Sequence, residues 1–336
     1  MLSRRDFLYL TGAALARAQD PKFSASVNVV NVLASVRDQK GKVVHDLTQD
    51  EFIIQEDGHP QTIRYFSQQG DLPLTLGLLI DTSGSQVRVL GQERDASHQF
   101  FQHILREDKD KAFLIQFAAE VELLHDLTSS LKDLEAAVHD AGPPQSGRAT
   151  GTGRGRWHGR GVFGGTALYD SVFLAADDVL KKQEGRKAVV LLSDGDDNGS
   201  KTSISSAIES AQRADMLVYS INFSDASNRS PVSSGAPGMG RGGRRGGGGR
   251  FPQPSAGGNV DGKKILQRIA QETGGGYYEV SRKMTLDKIY DQIEEELRNQ
   301  YSLGYNPDQS SGGYHKISVT AKRKNLTVRA RDGYYT

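Results

Sequence analysis

Three short segments of this chain collect side-chain oxygens. Asp81-Thr82-Ser83-Gly84-Ser85 ends one apolar run, Ser193-Asp194-Gly195-Asp196-Asp197 ends another, and Gly164-Gly165-Thr166 opens a helical pattern at Ala167. Taken singly, each has ordinary work to do: Ser and Thr cap helices, and Asp-Gly makes turns. Taken together, three hydroxyls (Ser83, Ser85, Thr166) and two carboxylates (Asp81, Asp194) would converge on one edge of a sheet. The chain has no cysteine, so thiolate zinc sites, disulfides and cysteine nucleophiles are excluded. Other catalytic patterns fail on context. Asp194-x-Asp196-x-Asn198-Gly199 imitates the start of a calcium loop, but its twelfth position is Ser205, not Glu. The glycines from Gly159 to Gly164 match a dinucleotide fingerprint without the preceding strand. Ser129-x-x-Lys132 lacks the companion motifs of a serine acyl enzyme, and the eight histidines are scattered without metal spacing.

The elements that must position the oxygens are legible from periodicity. Leu74 to Ile80 is a nearly continuous apolar run, as a strand buried on both faces should be. Runs at 113–117, 189–192 and 217–221 repeat it, with a shorter one from Val121 to Leu124. Between them, Leu168, Val172, Ala175, Ala176 and Val179 share a helical face, as do Leu286, Ile289, Tyr290, Ile293 and Leu297. Strands alternating with amphipathic helices predict an α/β fold with a doubly wound, mostly parallel sheet, whose ligands bind outside the carboxyl ends of the strands. The flanks read differently. Alternation at Val30, Val32, Ala34 and Val36, two strand runs at 52–55 and 62–66 around Asp57-Gly58, and alternating runs at 317–321 and 326–330 predict antiparallel strands. Small isolated strand sets bury too little to be stable. The two ends are therefore expected to pair as one discontinuous antiparallel β domain, residues 19–70 plus 299–336, with the α/β domain, residues 71–298, inserted.

Asp-x-Ser-x-Ser at Asp81, Ser83 and Ser85, the Thr of Gly-Gly-Thr-Ala-Leu-Tyr-Asp and the Asp of Leu-Leu-Ser-Asp-Gly resemble the metal-ion-dependent adhesion site of the von Willebrand factor type A domain. The resemblance spans roughly residues 72 to 298 with every ligand position filled. The Glu56-to-Ile63 and Gln300-to-Tyr305 segments are similar to a bacterial group of proteins related to that domain. The resemblance implies a Rossmann-like fold and a cation, Mg²⁺ or else Mn²⁺ or Ca²⁺. Ser83, Ser85 and Thr166 would bind it through hydroxyl oxygens, and Asp81 and Asp194 mainly through water. So few direct carboxylates leave the ion electropositive, so a Glu or Asp carboxylate from a protein partner can complete its shell. It implies a binding device with no catalytic residue. A Mg²⁺-dependent hydrolase is the alternative, lacking an evident base.

The total charge hides a partition. Lys and Arg number 42 against 41 Asp and Glu in 336 residues, a length of about two domains at roughly 150 residues each. Residues 141–165 and 231–258 hold 20 of the 38 glycines and eight arginines with no acid, a composition unable to bury a core and expected to be flexible. Both inserts are expected at the carboxyl edge of the sheet. There Arg154, Arg156, Arg160, Arg241, Arg244 and Arg245 would form a cationic collar that attracts an acidic partner. The second insert also permits a nucleic-acid reading, disfavoured by the absence of interleaved aromatics. Residues 1–18, with Arg4-Arg5, a short apolar run and Ala16-Arg17-Ala18, read as a signal peptide of twin-arginine type. A periplasmic or extracellular protein without a stable membrane span is expected.

Overall fold

The computed structural model describes residues 29–68, 70, 72–86, 90–142, 165–223, 261–307 and 312–336. Residues 1–18, which read as a signal peptide, and the arginines of both inserts lie outside the described residues. The chain enters through four strands, β1 (Val30–Asp38), β2 (Phe52–Glu56), β3 (His59–Gln61) and β4 (Ile63–Gln68). Asp57 (φ 50°) and Gly58 (φ 83°) join β2 to β3. Both φ values are positive, as the two-residue turn matching strand twist requires. The expected partner of β2 was the run at 62–66, but the hairpin closes on the three-residue β3. Pro60 is tolerated there because β3 is an edge strand. The longer run becomes β4 and crosses to a different sheet.

The middle of the chain builds the sheet that carries the oxygen groups. Its strands are β5 (Leu74–Asp81), β6 (Lys111–Phe117), β7 (Val121–Thr128), β8 (Arg186–Ser193), β9 (Met216–Asn222) and β10 (Tyr277–Glu279), in the order β10-β9-β8-β5-β6-β7. All pairings are parallel except that of β7, which returns antiparallel on the edge. Every residue of β5 and β8 is buried, so the sheet needs cover on both faces. Helices α1 (Leu90–Ile104), α2 (Leu131–Asp140) and α6 (Leu286–Arg298) supply one core. The other comes from α3 (Leu168–Leu174) with its π-helical continuation Ala175–Leu180, α4 (Ile204–Arg213) and α5 (Gly262–Thr273). The chain starts in the centre with β5, winds out to β7, then crosses back to β8 and winds the other way. The reversal between β5 and β8 is the switch point at which doubly wound sheets open a crevice at their carboxyl ends.

The chain then returns to its beginning. β11 (Tyr301–Tyr305) and β13 (Leu326–Ala330) join β1 and β4 in the order β13-β1-β11-β4, while β12 (Tyr314–Ala321) and β14 (Gly333–Tyr335) join β2 and β3 in the order β14-β12-β2-β3. Both sheets are antiparallel. Their inner faces share one core of Val32, Phe52, Ile54, Tyr301, Leu303, Ile317 and Tyr334, so the α/β unit sits as an insertion within a β-sandwich. Between β12 and β13 the chain turns at Asn325 (φ 64°), but the two strands enter opposite sheets rather than pairing.

One buried carboxylate ties the sandwich to the inserted unit. Glu296 of α6, wholly buried, accepts from Ser35 Oγ (2.8 Å) and Tyr219 Oη (3.2 Å) on Oε1. Its Oε2 accepts from Arg37 Nε (2.9 Å) and Nη2 (2.8 Å) and from Arg329 Nη1 (3.1 Å). These donors come from β1, β9 and β13. Removing one partner of such a group strands the others in a water-poor interior. Glu296→Ala should therefore cost about 3–5 kcal/mol, read as a lower midpoint in urea unfolding.

Candidate metal centre

Asp81 is the last residue of β5 and is inaccessible to solvent. Its carboxylate is held on two sides: Oδ1 accepts from the Ser83 backbone N–H (3.0 Å), and Oδ2 from Ser193 Oγ at the end of β8 (2.7 Å). Ser193 Oγ in turn accepts from the Gly195 N–H (3.0 Å), so one serine links the two strands at the switch point. Burial pushes the Asp81 carboxyl up to about 6 despite the hydrogen bonds from Ser83 and Ser193 that oppose the rise, and the neighbouring Asp194 charge adds to it. Beyond Asp81 the chain turns sharply, with the Gln86 N–H donating to the Ser83 carbonyl (2.9 Å). This brings Ser83 Oγ and Ser85 Oγ to 3.1 Å of each other. Ser83 is buried and Ser85 exposed, so the constellation opens to solvent on one side.

Asp194 follows β8 directly. Its Oδ2 accepts from Gln86 Nε2 (2.8 Å), and its Oδ1 from the Asp196 N–H (3.2 Å). The Gln86 bond crosses from the β5 loop to the β8 loop and holds Asp194 beside the serines. Gly195 turns the chain at φ 86°, and a Cβ there would run into the Gly262 carbonyl at the start of α5. Only glycine lets this loop pack so closely.

Thr166 reaches the same edge from the third segment. Its N–H donates to Asn198 Oδ1 (2.6 Å), and its carbonyl accepts from the Asn198 (3.1 Å) and Gly199 (3.0 Å) N–H groups. The next residue, Ala167, donates to the Ala118 carbonyl just past β6 (2.7 Å). The helix-capping duty open to Thr166 falls elsewhere: Asp197 Oδ1 accepts from the Leu168 (2.9 Å) and Tyr169 (3.2 Å) N–H groups at the start of α3. Asn198 and Asp197 thus serve Thr166 and α3, which accounts for the calcium-loop imitation.

The structure brings Asp81, Ser83, Ser85, Thr166 and Asp194 to the carboxyl edge between β5, β6 and β8. The set is all oxygen, two carboxylates and three hydroxyls, and fits a hard divalent cation better than a soft one. Sequence reasoning missed Gln86 and the roles of Ser193, which with Gln86 cross-links the loops, of Asn198, which seats Thr166, and of Asp197, which caps α3 just beyond it. It also missed Glu93 on α1, a wholly buried carboxyl. Gln86 Oε1 and both Glu93 carboxylate oxygens are buried without a hydrogen-bond partner among the described residues. Burial first, then the charges of Asp81 and Asp194, push Glu93 up to about 8. Arg154, Arg156, Arg160, Arg241, Arg244 and Arg245 lie outside the described residues.

A second set of ligand-type atoms, from Glu56, Asp57 and His315, lies within 4.8 Å of one another in the sandwich. Here the scattered-histidine reading needs amending, because folding carries His315 from β12 to the β2–β3 turn. Its Nδ1 lies 2.8 Å from Asp57 Oδ2, Asp57 Oδ1 accepts from the Lys316 N–H (2.8 Å), and Glu56 Oε1 accepts from Tyr334 Oη (3.1 Å). The Tyr334 ring stacks on His315. These bonds fasten the hairpin to its neighbouring strands.

The family model described as von Willebrand factor type A domain matches residues 76–292. Solved structures similar to the chain include an aerotolerance-related membrane protein from Bacteroides fragilis (19% identity, 67% of this chain and 98% of that one, TM-score 0.44). Proximal thread matrix protein 1 from the mussel byssus, with a zinc-occupied MIDAS motif, is 16% identical over 72% of this chain and 49% of that one (TM-score 0.46). A von Willebrand factor type A protein from Catenulispora acidiphila is 10% identical over 93% and 75% (TM-score 0.45). No curated protein matches the chain.

The raised Asp81 carboxyl gives a signed stability prediction. A group whose folded pKa rises from 3.8 to about 6 costs nothing below pH 4. It costs progressively more as the pH climbs to 6, levelling at roughly 3 kcal/mol. In chelator, Asp81→Asn should therefore be more stable than wild type at pH 8 and no more stable at pH 4, as read by urea unfolding at the two pH values.

Proposed function

Because the chain belongs to the von Willebrand factor type A family, we propose that it is an exported protein-binding module whose Mg²⁺ accepts a Glu or Asp carboxylate from a partner. The observation that carries this reading is the convergence of five oxygen groups at the switch point, with Ser85 exposed and Asp81 buried behind it. In this reading Ser83, Ser85 and Thr166 hold the cation through their hydroxyls, and Asp81 and Asp194 orient its bound waters. When bound, the cation supplies a positive centre able to take one more anionic oxygen. The chain's own part is positional. Gln86 and Ser193 keep the two loops in register, and Thr166 is fixed by backbone hydrogen bonds on both sides, with no hydrogen bond to its hydroxyl among the described residues.

Two further expectations belong to the same reading. The arginines at 154, 156, 160, 241, 244 and 245 raise the rate at which an acidic partner arrives, an effect that salt should weaken. The N-terminal 18 residues direct export to the periplasm or beyond; among the described residues no helix is long and apolar enough to cross a membrane. Family members are in general adhesion modules rather than enzymes, and we assign no catalytic residue.

The test is capture from a native envelope extract on immobilised protein, in Mg²⁺ and in chelator, with wild type and Thr166→Ala side by side. A protein retained by wild type in Mg²⁺, and lost both in chelator and with Thr166→Ala, is the expected outcome, with Mg²⁺ affinity of the variant down roughly tenfold or more. Retention indifferent to both treatments, or Mg²⁺-dependent hydrolysis of phosphate or ester substrates by the wild type, would contradict it.

A further inference from the structure

The buried face of α1 runs Leu90, Glu93, Ala96, Ser97, Phe100, Phe101, Ile104, the helical spacing of a core stripe. Glu93 occupies that stripe among apolar neighbours and is wholly inaccessible. One turn on, Ser97 Oγ lies 3.2 Å from Tyr290 Oη, and the Tyr290 ring stacks on Phe100 at 4.1 Å, so the helix is packed tightly at this point. A carboxyl in such a place normally finds a donor. Neither oxygen of Glu93 has one among the described residues, while Gln86, the residue that holds Asp194, also keeps a buried unpartnered Oε1. The groups Glu93 feels most are Asp81 and Asp194. Glu93 stands in the first turn of α1, and that turn begins where the Leu90 N–H donates to the carbonyl of Gln86 (3.2 Å), the residue whose side chain holds Asp194. For folding alone a carboxylate at this position is unfavourable, since like charges drawn together in a water-poor interior repel and lose solvation.

We propose that Glu93 is a positioning residue of the cation site, its buried carboxylate providing a third negative charge that holds the ion with Asp81 and Asp194. The inference rests on the metal-binding reading above and extends it to a residue outside the five-membered motif. Ser83, Ser85 and Thr166 are neutral donors, so two carboxylates alone would compensate a divalent ion only while both are ionised. A third carboxylate, placed where no donor among the described residues competes for its oxygens, strengthens the site through charge and through hydrogen bonds to the ion's waters, as outer-shell groups do. The same carboxylate makes the ion-free fold less stable, so the two effects have opposite signs.

That opposition supplies the test. Full-length wild type, Glu93→Gln and Thr166→Ala are compared by calorimetric titration with Mg²⁺ at pH 8, and by thermal unfolding in EDTA at the same pH. Glu93→Gln, nearly the same size but uncharged, should bind Mg²⁺ roughly tenfold or more weakly and yet melt higher than wild type in EDTA. If it binds Mg²⁺ as wild type does while Thr166→Ala does not, the role given to Glu93 is wrong and the five-residue site stands. If it melts lower in EDTA, Glu93 is a structural residue and the inference is equally overturned. Should Thr166→Ala also bind like wild type, the site reading itself fails.

Discussion

The carboxylate of Asp81 is pinned between two strands, by the Ser83 N–H on its own side and by Ser193 Oγ across the switch point. This interaction constrains everything around it. The central strand of the sheet is buried over its whole length because it is covered on both faces, and the carboxylate at its last position is kept there by donors from the loops where the sheet reverses. The donors on Asp81 hold the first turn of the following loop, and that turn sets Ser83 beside Ser85 and aims Gln86 at Asp194. Even so, burial outweighs those hydrogen bonds. Among the described residues neither Asp81 nor Asp194 has an ion-pair partner, which suits an edge that is to hold a cation.

Positioning at this edge depends on loops that are not themselves regular structure, and the molecule stiffens them from behind. Gly195 lets the β8 loop press on the start of α5, and Asn198 and Asp197 bind the Thr166 segment by its backbone. Further out, the sandwich made from both chain ends clamps the inserted unit through Glu296, whose donors come from β1, β9 and β13. The clamp is at α6, not at the five-oxygen edge. The sandwich can therefore brace the sheet while leaving the approach to Ser85 open.

Much of this was legible in the sequence. Apolar runs that end in Asp or Ser-Asp announce parallel strands whose ends matter, and they located Asp81 and Asp194. Alternation at 30–36 and 317–321 announced antiparallel strands. But alternation specifies which face a residue occupies, not which strand lies beside it, so the crossing of β4 to the opposite sheet and the splitting of β12 from β13 were hidden. Glu93 left a signal that went unread: a carboxyl on the stripe defined by Leu90, Ser97, Phe101 and Ile104. Ser193, Asp197 and Asn198 stand in oxygen-rich segments of the sequence, but their roles, like that of Gln86, exist only once loops distant in sequence meet. The same holds for His315, which joins Glu56 and Asp57 only after the two chain ends have paired.

The central claim is that one divalent cation belongs at the carboxyl edge of β5 and β8. Anomalous diffraction from crystals soaked in Mn²⁺ tests it most directly, since Mn²⁺ takes the same oxygen donors as Mg²⁺ and can be located without assuming where it lies. The account predicts a single strong peak among Ser83, Ser85 and Thr166, with Asp81 and Asp194 next to it. A peak at Glu56, Asp57 and His315 with none at the sheet edge, or no ordered peak at all, would contradict it.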